Sequence, residues 1–134
     1  MASRRMLADT VELYNYLGEI DDEATYQKTI LRHCYCPTNQ GVGRGNQGKI
    51  PNDTATLYIF DAGTVAEAED GSRRSYIPYS EWEDLPDRSR YWTLDDSGDD
   101  FFRKSGSEEK FRIAGVSRRK AGTRRMWHFE VSAR

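Results

Sequence analysis

The sequence predicts a mainly β fold: a small β-barrel or sandwich of six to seven strands with one short helix and long loops. Three observations support this class. Several short segments alternate between apolar and polar residues, which is typical of half-buried strands. The segments follow one another without β-α-β alternation. The 134 residues include 16 aromatic ones, enough for the small core of a single domain over residues 1–134.

The first two strands are predicted near the N-terminus. Residues 9–16 alternate apolar and polar side chains and indicate a half-buried strand. Residues 25–36 look like a longer strand whose alternation changes phase at Ile30 and Leu31, which suggests a bulge there. Pro37 ends this strand because proline cannot donate to a strand ladder.

A glycine-rich loop or arm is predicted at residues 37–53, before a clear strand at residues 54–60. The segment Gly43–Lys49 fits the spacing of a phosphate-binding loop, but Ile50 stands where such a loop needs Ser or Thr. We therefore expect an arm that becomes ordered against a neighbouring subunit rather than a nucleotide site.

The middle of the chain reads as loops with short elements. Residues 61–74 are predicted to be a surface loop and residues 75–79 an edge strand. Residues 80–83 have the capping-box pattern S-x-x-E, which predicts one helical turn. Residues 91–94 and 99–105 are predicted to be extended, with a turn between them.

The last two strands, at residues 110–117 and 126–132, are predicted to form a hairpin with a basic tip at residues 117–125. The tip is a candidate to contact phosphates, or an acidic face of another subunit; the alternative is a solvated hairpin end. The candidate interface or DNA-facing residues are Arg118, Arg119, Lys120, Arg124 and Arg125 in this tip and Arg44 and Lys49 in the glycine-rich arm.

Charge is distributed unevenly along the chain. Residues 61–100 carry 4 basic and 12 acidic side chains, whereas residues 101–134 carry 10 basic and 3 acidic ones. Poles of opposite sign favour head-to-tail contacts between identical subunits. The pI of about 5.7 argues against a dedicated nucleic-acid binder.

No motif indicates catalysis, so we expect a protein that is not an enzyme and uses no cofactor. Cys34 and Cys36 lie beside His33, but a zinc site needs four ligands and the sequence offers no second pair, so we interpret both as structural thiols. His128 is expected to point to solvent or to a partner. Acidic side chains at residues 81–84 and 95–100 are interpreted as solvated.

Membrane association and export are not expected. No apolar run approaches the roughly 20 residues of a membrane helix. The N-terminal residues have basic side chains but no apolar segment typical of a secretory signal. The sequence therefore predicts a protein that is made in a cytoplasm and has no membrane partner.

The order of several short fragments resembles a family of small tailed-phage proteins encoded among head–tail connector and minor capsid genes. The resemblance spans roughly residues 9 to 131. Its fragments are Thr-Val-Glu-Leu-Tyr-Asn15, Thr29-Ile-Leu-Arg-His33, Asp53-Thr-Ala-Thr-Leu-Tyr-Ile59, Tyr76-Ile-Pro-Tyr-Ser-Glu-Trp82, Tyr91-Trp-Thr-Leu94, Gly98-Asp99 and Trp127-His-Phe-Glu-Val131.

This resemblance implies a structural virion protein of the phage neck, in particular a head-closure (stopper) component. Such a protein would form a homo-oligomeric ring that joins the portal or adaptor to the tail, with possible contact to packaged DNA. It would be assembled in the bacterial cytoplasm and end in the virion. The alternatives are another minor capsid or tail-completion protein, or a small β-barrel that binds nucleic acid.

Overall fold

The computed structural model describes residues 7–39 and 54–134, and this part of the chain is built mainly of strands. The strands are β1 (Asp9–Ile20), β2 (Glu23–Cys34), β3 (Thr38–Asn39), β4 (Thr54–Phe60), β5 (Val65–Glu67), β6 (Ser75–Tyr76), β7 (Tyr91–Trp92), β8 (Phe101–Lys104), β9 (Phe111–Arg119) and β10 (His128–Ala133). The helices are the single turn α1 (Tyr79–Trp82) and a 3-10 turn at Arg124–Met126. The predicted mainly β class is confirmed.

Eight of these strands form one sheet in the order β3-β4-β10-β9-β8-β1-β2-β5, and every pair in it is antiparallel. The sheet folds over so that two halves face each other, which makes the fold sandwich-like rather than a closed barrel. A separate pair, β6 and β7, is parallel. Its residues Tyr76 and Trp92 pack against Phe129 of β10.

A single stretch of chain serves both halves of the sandwich. β2 pairs with β1 and β5, and the residues directly after it pair with β4 through reciprocal backbone hydrogen bonds between Tyr35 and Tyr58. Between the two stretches His33 adopts a φ of 61° and is skipped in the register with β1. This bulge at His33 turns the strand from one half of the sheet to the other.

The inner faces of the two halves form one hydrophobic core. It contains alternate residues of each long strand, as the sequence patterns predicted. Fully buried members include Val11, Leu13, Leu31, Leu57, Phe102 and Val131. The aromatic ring of Phe102 lies 5.8 Å from that of Phe111 in the centre of this core. Burial of these side chains supplies the main driving force for folding.

Several local predictions were wrong. The bulge lies at His33 rather than at Ile30 and Leu31, whose register with β1 is continuous. The predicted surface loop at 61–74 contains β5, and the predicted glycine-rich loop at 37–53 begins with β3. With these two additional strands the described residues contain ten strands, more than the predicted six to seven.

The short helix was placed nearly correctly, but its start differs from the capping-box prediction. α1 begins at Tyr79 after Pro78, which occupies the N-cap position with a φ of −61°, and no side chain caps the turn. Proline is well suited to a helix start because it lacks an N–H that would remain unsatisfied. The helix buries Trp82, while Glu81, Glu83 and Asp84 are exposed, as expected for a solvated acidic segment.

Candidate functional site

The predicted basic hairpin is confirmed. β9 and β10 pair antiparallel; Arg118 and Arg119 stand at the end of β9, and Lys120, Arg124 and Arg125 lie in the segment between the two strands. Gly122 has a φ of 76°, a conformation that glycine adopts without strain, and the 3-10 turn at Arg124–Met126 leads back into β10. This basic tip, residues 117–125, projects from the end of the hairpin, and its residues are exposed.

Two of the five cations are held in ion pairs within the chain. Arg118 makes a two-pronged contact with the carboxylate of Asp61, with one N–O distance of 2.8 Å. Arg119 donates from Nε to Glu130. Hydrogen bonding to Asp61 raises the pKa of Arg118. These two residues therefore offer less positive charge to a partner than the sequence suggested.

The other three cations keep their charge free for a partner. Lys120 and Arg124 lie over the ring of Trp127, at 5.1 Å and 5.3 Å from its centroid. Within residues 7–39 and 54–134, neither they nor Arg125 form an ion pair with an acidic side chain. Their attraction to the indole ring holds two of these cations in place without neutralising them.

The remaining two predicted candidates, Arg44 and Lys49, lie outside the described residues. The glycine-rich arm as a whole is described only up to Asn39. The structure therefore brings together the five candidates of the hairpin and leaves the two arm candidates as a sequence prediction.

A cavity of about 260 Å³ opens beside the basic tip, and no sequence pattern predicted it. Its walls are mixed: Phe129 and Trp92 are the largest apolar side chains, and Asp61, Arg74 and Arg118 add charged groups. The guanidinium of Arg118 lies 4.3 Å from the ring of Phe129 and so joins the cavity to the tip. The lining residues are Ile59, Phe60, Asp61, Thr64, Ala66, Arg74, Tyr76, Trp92, Arg118 and Phe129.

Arg74 brings a second cation to this cavity, and hydrogen bonds fix its position. Its Nη1 donates to the hydroxyl of Thr29 at 2.9 Å and also to the carbonyl of Lys28, and its Nε donates to the carbonyl of Ser89 at 2.8 Å. Burial lowers the pKa of Arg74. A cavity with aromatic walls and a positioned guanidinium group can bind an apolar side chain that has carboxylates as neighbours.

An acidic ribbon, residues 17–24, extends at the N-terminal end of β2. β8 pairs with β1 only as far as Tyr14, and β5 pairs with β2 only from Ile30 onward, so the ribbon strands pair only with each other. A two-residue turn at Asp21 and Asp22, with φ values of 54° and 65°, closes the hairpin.

The ribbon combines negative charge with exposed apolar side chains. Glu19, Asp21, Asp22 and Glu23 form no ion pair within the part of the chain that the structure describes. Ile20 is 65% exposed and Leu17 is 42% exposed. A bulge at Leu17 shifts the register between Tyr16 and Gly18. Exposed apolar side chains on a projecting hairpin are typical of a contact surface.

A second group of aromatic side chains lies on the outer face of the sheet. The rings of Tyr14 and Phe101 stack at 4.6 Å, and Tyr26 packs edge-on at 5.0 Å from Phe101. Arg103 lies over Tyr14, but it is also paired with Glu12. Because acidic side chains neutralise most of the neighbouring cations, this face is a weaker candidate for binding nucleic acid than the basic tip.

The acidic turn at residues 95–100 is not simply solvated, which corrects the sequence interpretation. Asp100 is 2% exposed and Asp95 8% exposed. The Asp100 carboxylate accepts hydrogen bonds from Asn15 Nδ2 at 2.8 Å, from the Tyr16 backbone N–H at 2.8 Å and from the Asp95 backbone N–H at 3.2 Å. Asn15 also donates to the carbonyl of Thr93 at 2.8 Å. This buried polar cluster fixes β1 to the loop before β8.

The two histidines occupy different surroundings. His128 is half-buried on the outer face of β10, where its ring stacks on Phe60 at 4.9 Å and its Nδ1 lies 2.9 Å from the carbonyl of Met126. His33 is exposed at the strand bulge. Among the described residues, no group of three or more His, Cys, Asp and Glu side chains is arranged to hold a metal ion.

Cys34 and Cys36 are free and buried. Cys34 Sγ lies 3.3 Å from the carbonyl of Asp9, to which it donates. Burial raises the pKa of Cys34 to about 12 and that of Cys36 to about 11. Because the thiolate is the reactive form, both side chains should be inert in the folded protein.

We expect a thiol reagent such as Ellman's reagent to label neither cysteine of the native protein at mildly alkaline pH, and to label both after unfolding in guanidinium chloride. Absorbance of the released thiolate measures the stoichiometry. A C34S variant should release half the signal on unfolding. Rapid labelling of the native protein would show that the thiols are accessible.

A model of one protein family matches residues 6–134 of the chain, which is nearly its whole length. The chain belongs to this family. The family is described as a family of unknown function, DUF6751. No curated protein gave a significant match to this DUF6751 member. No solved structure did so either. No helix in the described residues is long and apolar enough to cross a membrane.

Proposed function

We propose that this DUF6751 protein is a structural component of the neck of a tailed phage, as a head-closure (stopper) ring subunit that joins the portal or adaptor to the tail. One observation supports this most: a free acidic surface and a free basic surface lie at opposite ends of one small β body. Subunits of this kind associate head to tail, and a head-to-tail contact that closes on itself produces a ring.

The distance between the two surfaces follows from β2. The ribbon is at the N-terminal end of β2, whereas His33, near its C-terminal end, accepts a hydrogen bond from Thr64. Thr64 also binds Phe60, whose neighbour Asp61 binds Arg118 of the tip. The strand has 12 residues and so spans up to about 36 Å. The two surfaces are therefore too far apart to neutralise each other within one chain.

The sequence hypothesis placed the acidic partner of the tip in residues 61–100. The structure shows that one acid of that segment, Asp61, binds Arg118 of the same chain. Glu67 is paired with Arg32 and Asp99 with Arg112, whereas Glu81, Glu83 and Asp84 are exposed. We favour the acidic ribbon as the partner of the tip because it combines unpaired carboxylates with the exposed apolar side chain of Ile20.

Deletion of the gene from the genome that carries it should yield heads that do not hold a tail, because a missing neck subunit leaves the two parts unjoined. Electron microscopy of particles from the deletion strain measures the fraction of tailed particles. Supplying the wild-type gene on a plasmid should restore tails. Normal tailed particles in the deletion strain would contradict the proposal.

A further inference from the structure

We propose that the acidic ribbon of one copy binds the basic tip and the adjoining cavity of a second copy of this chain. The contact would place Ile20 in the cavity beside Phe129 and the ribbon carboxylates against Lys120 and Arg124. This inference deepens the proposed function, which needs self-association but does not specify the surfaces. It rests on charge, shape and exposure in the described residues.

Charge complementarity is the first argument. The ribbon carries four carboxylates that form no ion pair within the described residues. The tip carries three cations, Lys120, Arg124 and Arg125, that are likewise not paired with acids there. Opposite charges across an interface accelerate encounter and set the orientation of the partners.

Shape is the second argument. Ile20 stands at the end of the ribbon and is 65% exposed, whereas the cavity measures about 260 Å³ and has Phe129, Trp92 and Ile59 in its walls. An apolar cavity of about 150 Å³ already accommodates a benzene-sized group. The cavity therefore has room for the isoleucine side chain, and burying that side chain would be favourable.

The cavity entrance combines charged and apolar groups. Arg74 and Arg118 line the cavity, and Arg118, which belongs to the tip, lies over the ring of Phe129. A ribbon that inserts Ile20 would bring its neighbouring acids toward Arg74, since Arg118 is already paired with Asp61. The same ribbon cannot reach the cavity of its own chain. Glu23, opposite Ile20, lies eight residues along β2 from Leu31, which pairs with cavity residue Ala66, a distance of about 26 Å.

The contact is heterologous because each copy uses its ribbon on one side and its tip on the other. Such contacts build a ring if the rotation between subunits closes and a filament if it does not. Both surfaces project from the β body. Each contact is small, so a closed ring would gain its stability from multiplicity.

A charge-reversal pair tests this contact. The ribbon variant carries E19K, E23K, D21N and D22N, because Asn tolerates the positive φ of the turn better than Lys does. The tip variant carries K120E, R124E and R125E. At low ionic strength, sedimentation velocity should show wild-type association that weakens with salt, and at least tenfold weaker association for each variant alone.

Mixing the two variants is the decisive measurement. In the mixture, the reversed ribbon of the first variant can bind the reversed tip of the second. The native ribbon of the second variant can bind the native tip of the first, so association should return. Variants that associate like the wild type, or a mixture that does not recover, would overturn the contact. Tip-dependent binding of DNA by a chain that does not self-associate would also overturn it in favour of a nucleic-acid surface.

A disulfide trap tests proximity without removing charge. Ala24 in the ribbon and Ala121 in the tip are exposed. Because the proposed contact brings the ribbon of one copy against the tip of another, a chain with A24C mixed with a chain with A121C should form a covalent dimer under mild oxidation. A chain with E108C, in the turn before β9, serves as the control partner for A24C. Equal cross-linking with the control, or none with A121C, would overturn the contact.

The deletion strain tests the proposed function, and the ribbon and tip variants test the contact, so either can fail without the other. If tails are lost on deletion but the ribbon and tip variants support normal particles, the neck assignment stands and this contact is wrong. If the charge-reversal mixture associates but the deletion strain makes normal tailed particles, the contact stands and the neck assignment is wrong.

Discussion

Replacing Asp100 with Ala should lower the free energy of unfolding by about 3 kcal/mol or more at neutral pH. The substitution leaves three N–H donors, from Asn15, Tyr16 and Asp95, without their acceptor in a buried site. Unfolding in urea, followed by tryptophan fluorescence, measures the change. A loss smaller than about 1 kcal/mol would contradict the structural role of the cluster.

The Asp100→Asn variant removes the titratable group and keeps one acceptor oxygen where the carboxylate offers two. Burial raises the pKa of Asp100 to about 6, while hydrogen bonds from Tyr16 and Asn15 lower it and the nearby Asp95 raises it. Its ordinary value is 3.8. The native state therefore binds the proton more tightly than the unfolded state, and the stability that this proton contributes is present below pH 4 and is lost as the pH rises through 6.

The wild-type protein should consequently lose about 2 kcal/mol of stability relative to the Asp100→Asn variant between pH 4 and pH 7. Urea unfolding of both proteins across this range measures the difference, in which contributions from other carboxylates cancel. A constant difference between the two proteins would show that Asp100 does not titrate in this window.

Replacing Phe102 with Ala should lower the free energy of unfolding by about 3 to 5 kcal/mol. The side chain is fully buried, stacks on Phe111 and lies opposite Leu13 in the register of β1 and β8. The substitution removes apolar contacts and leaves a cavity that the rigid sheet cannot close. Urea unfolding measures this loss directly.

Phe101 is the matched control for this prediction because it has the same side chain at the next position of β8. It points to the outer face, where it stacks on Tyr14 and is only half-buried. The Phe101→Ala variant should lose about 1 kcal/mol, since an exposed aromatic pair contributes less than a core ring. Equal losses for the two variants would contradict the assignment of inner and outer faces.

The strands that could be predicted are those in which apolar and polar residues alternate along the sequence. The strand at residues 54–60 was predicted with the bounds that β4 has, because its apolar residues Leu57 and Ile59 face the core and their neighbours do not. The hairpin of β9 and β10 followed from the same pattern and from a basic, glycine-containing turn.

The missed features depend on partners distant in sequence. Asp100 is buried because Asn15, 85 positions earlier, donates to it, and nothing in the run of aspartates around it indicates this. The cavity beside Arg118 is assembled from five separate segments of the chain. The ribbon length depends on where β8 and β5 stop pairing. None of these has a signature in a short window of sequence.

The bend at His33 has a mechanical consequence. Since one covalent backbone pairs with β1 before the bend and with β4 after it, a pull on either half of the sandwich is transmitted through peptide bonds to the other. To separate the two halves, the backbone hydrogen bonds to β1 before His33 and to β4 after it must break together. A body built in this way resists load as a unit.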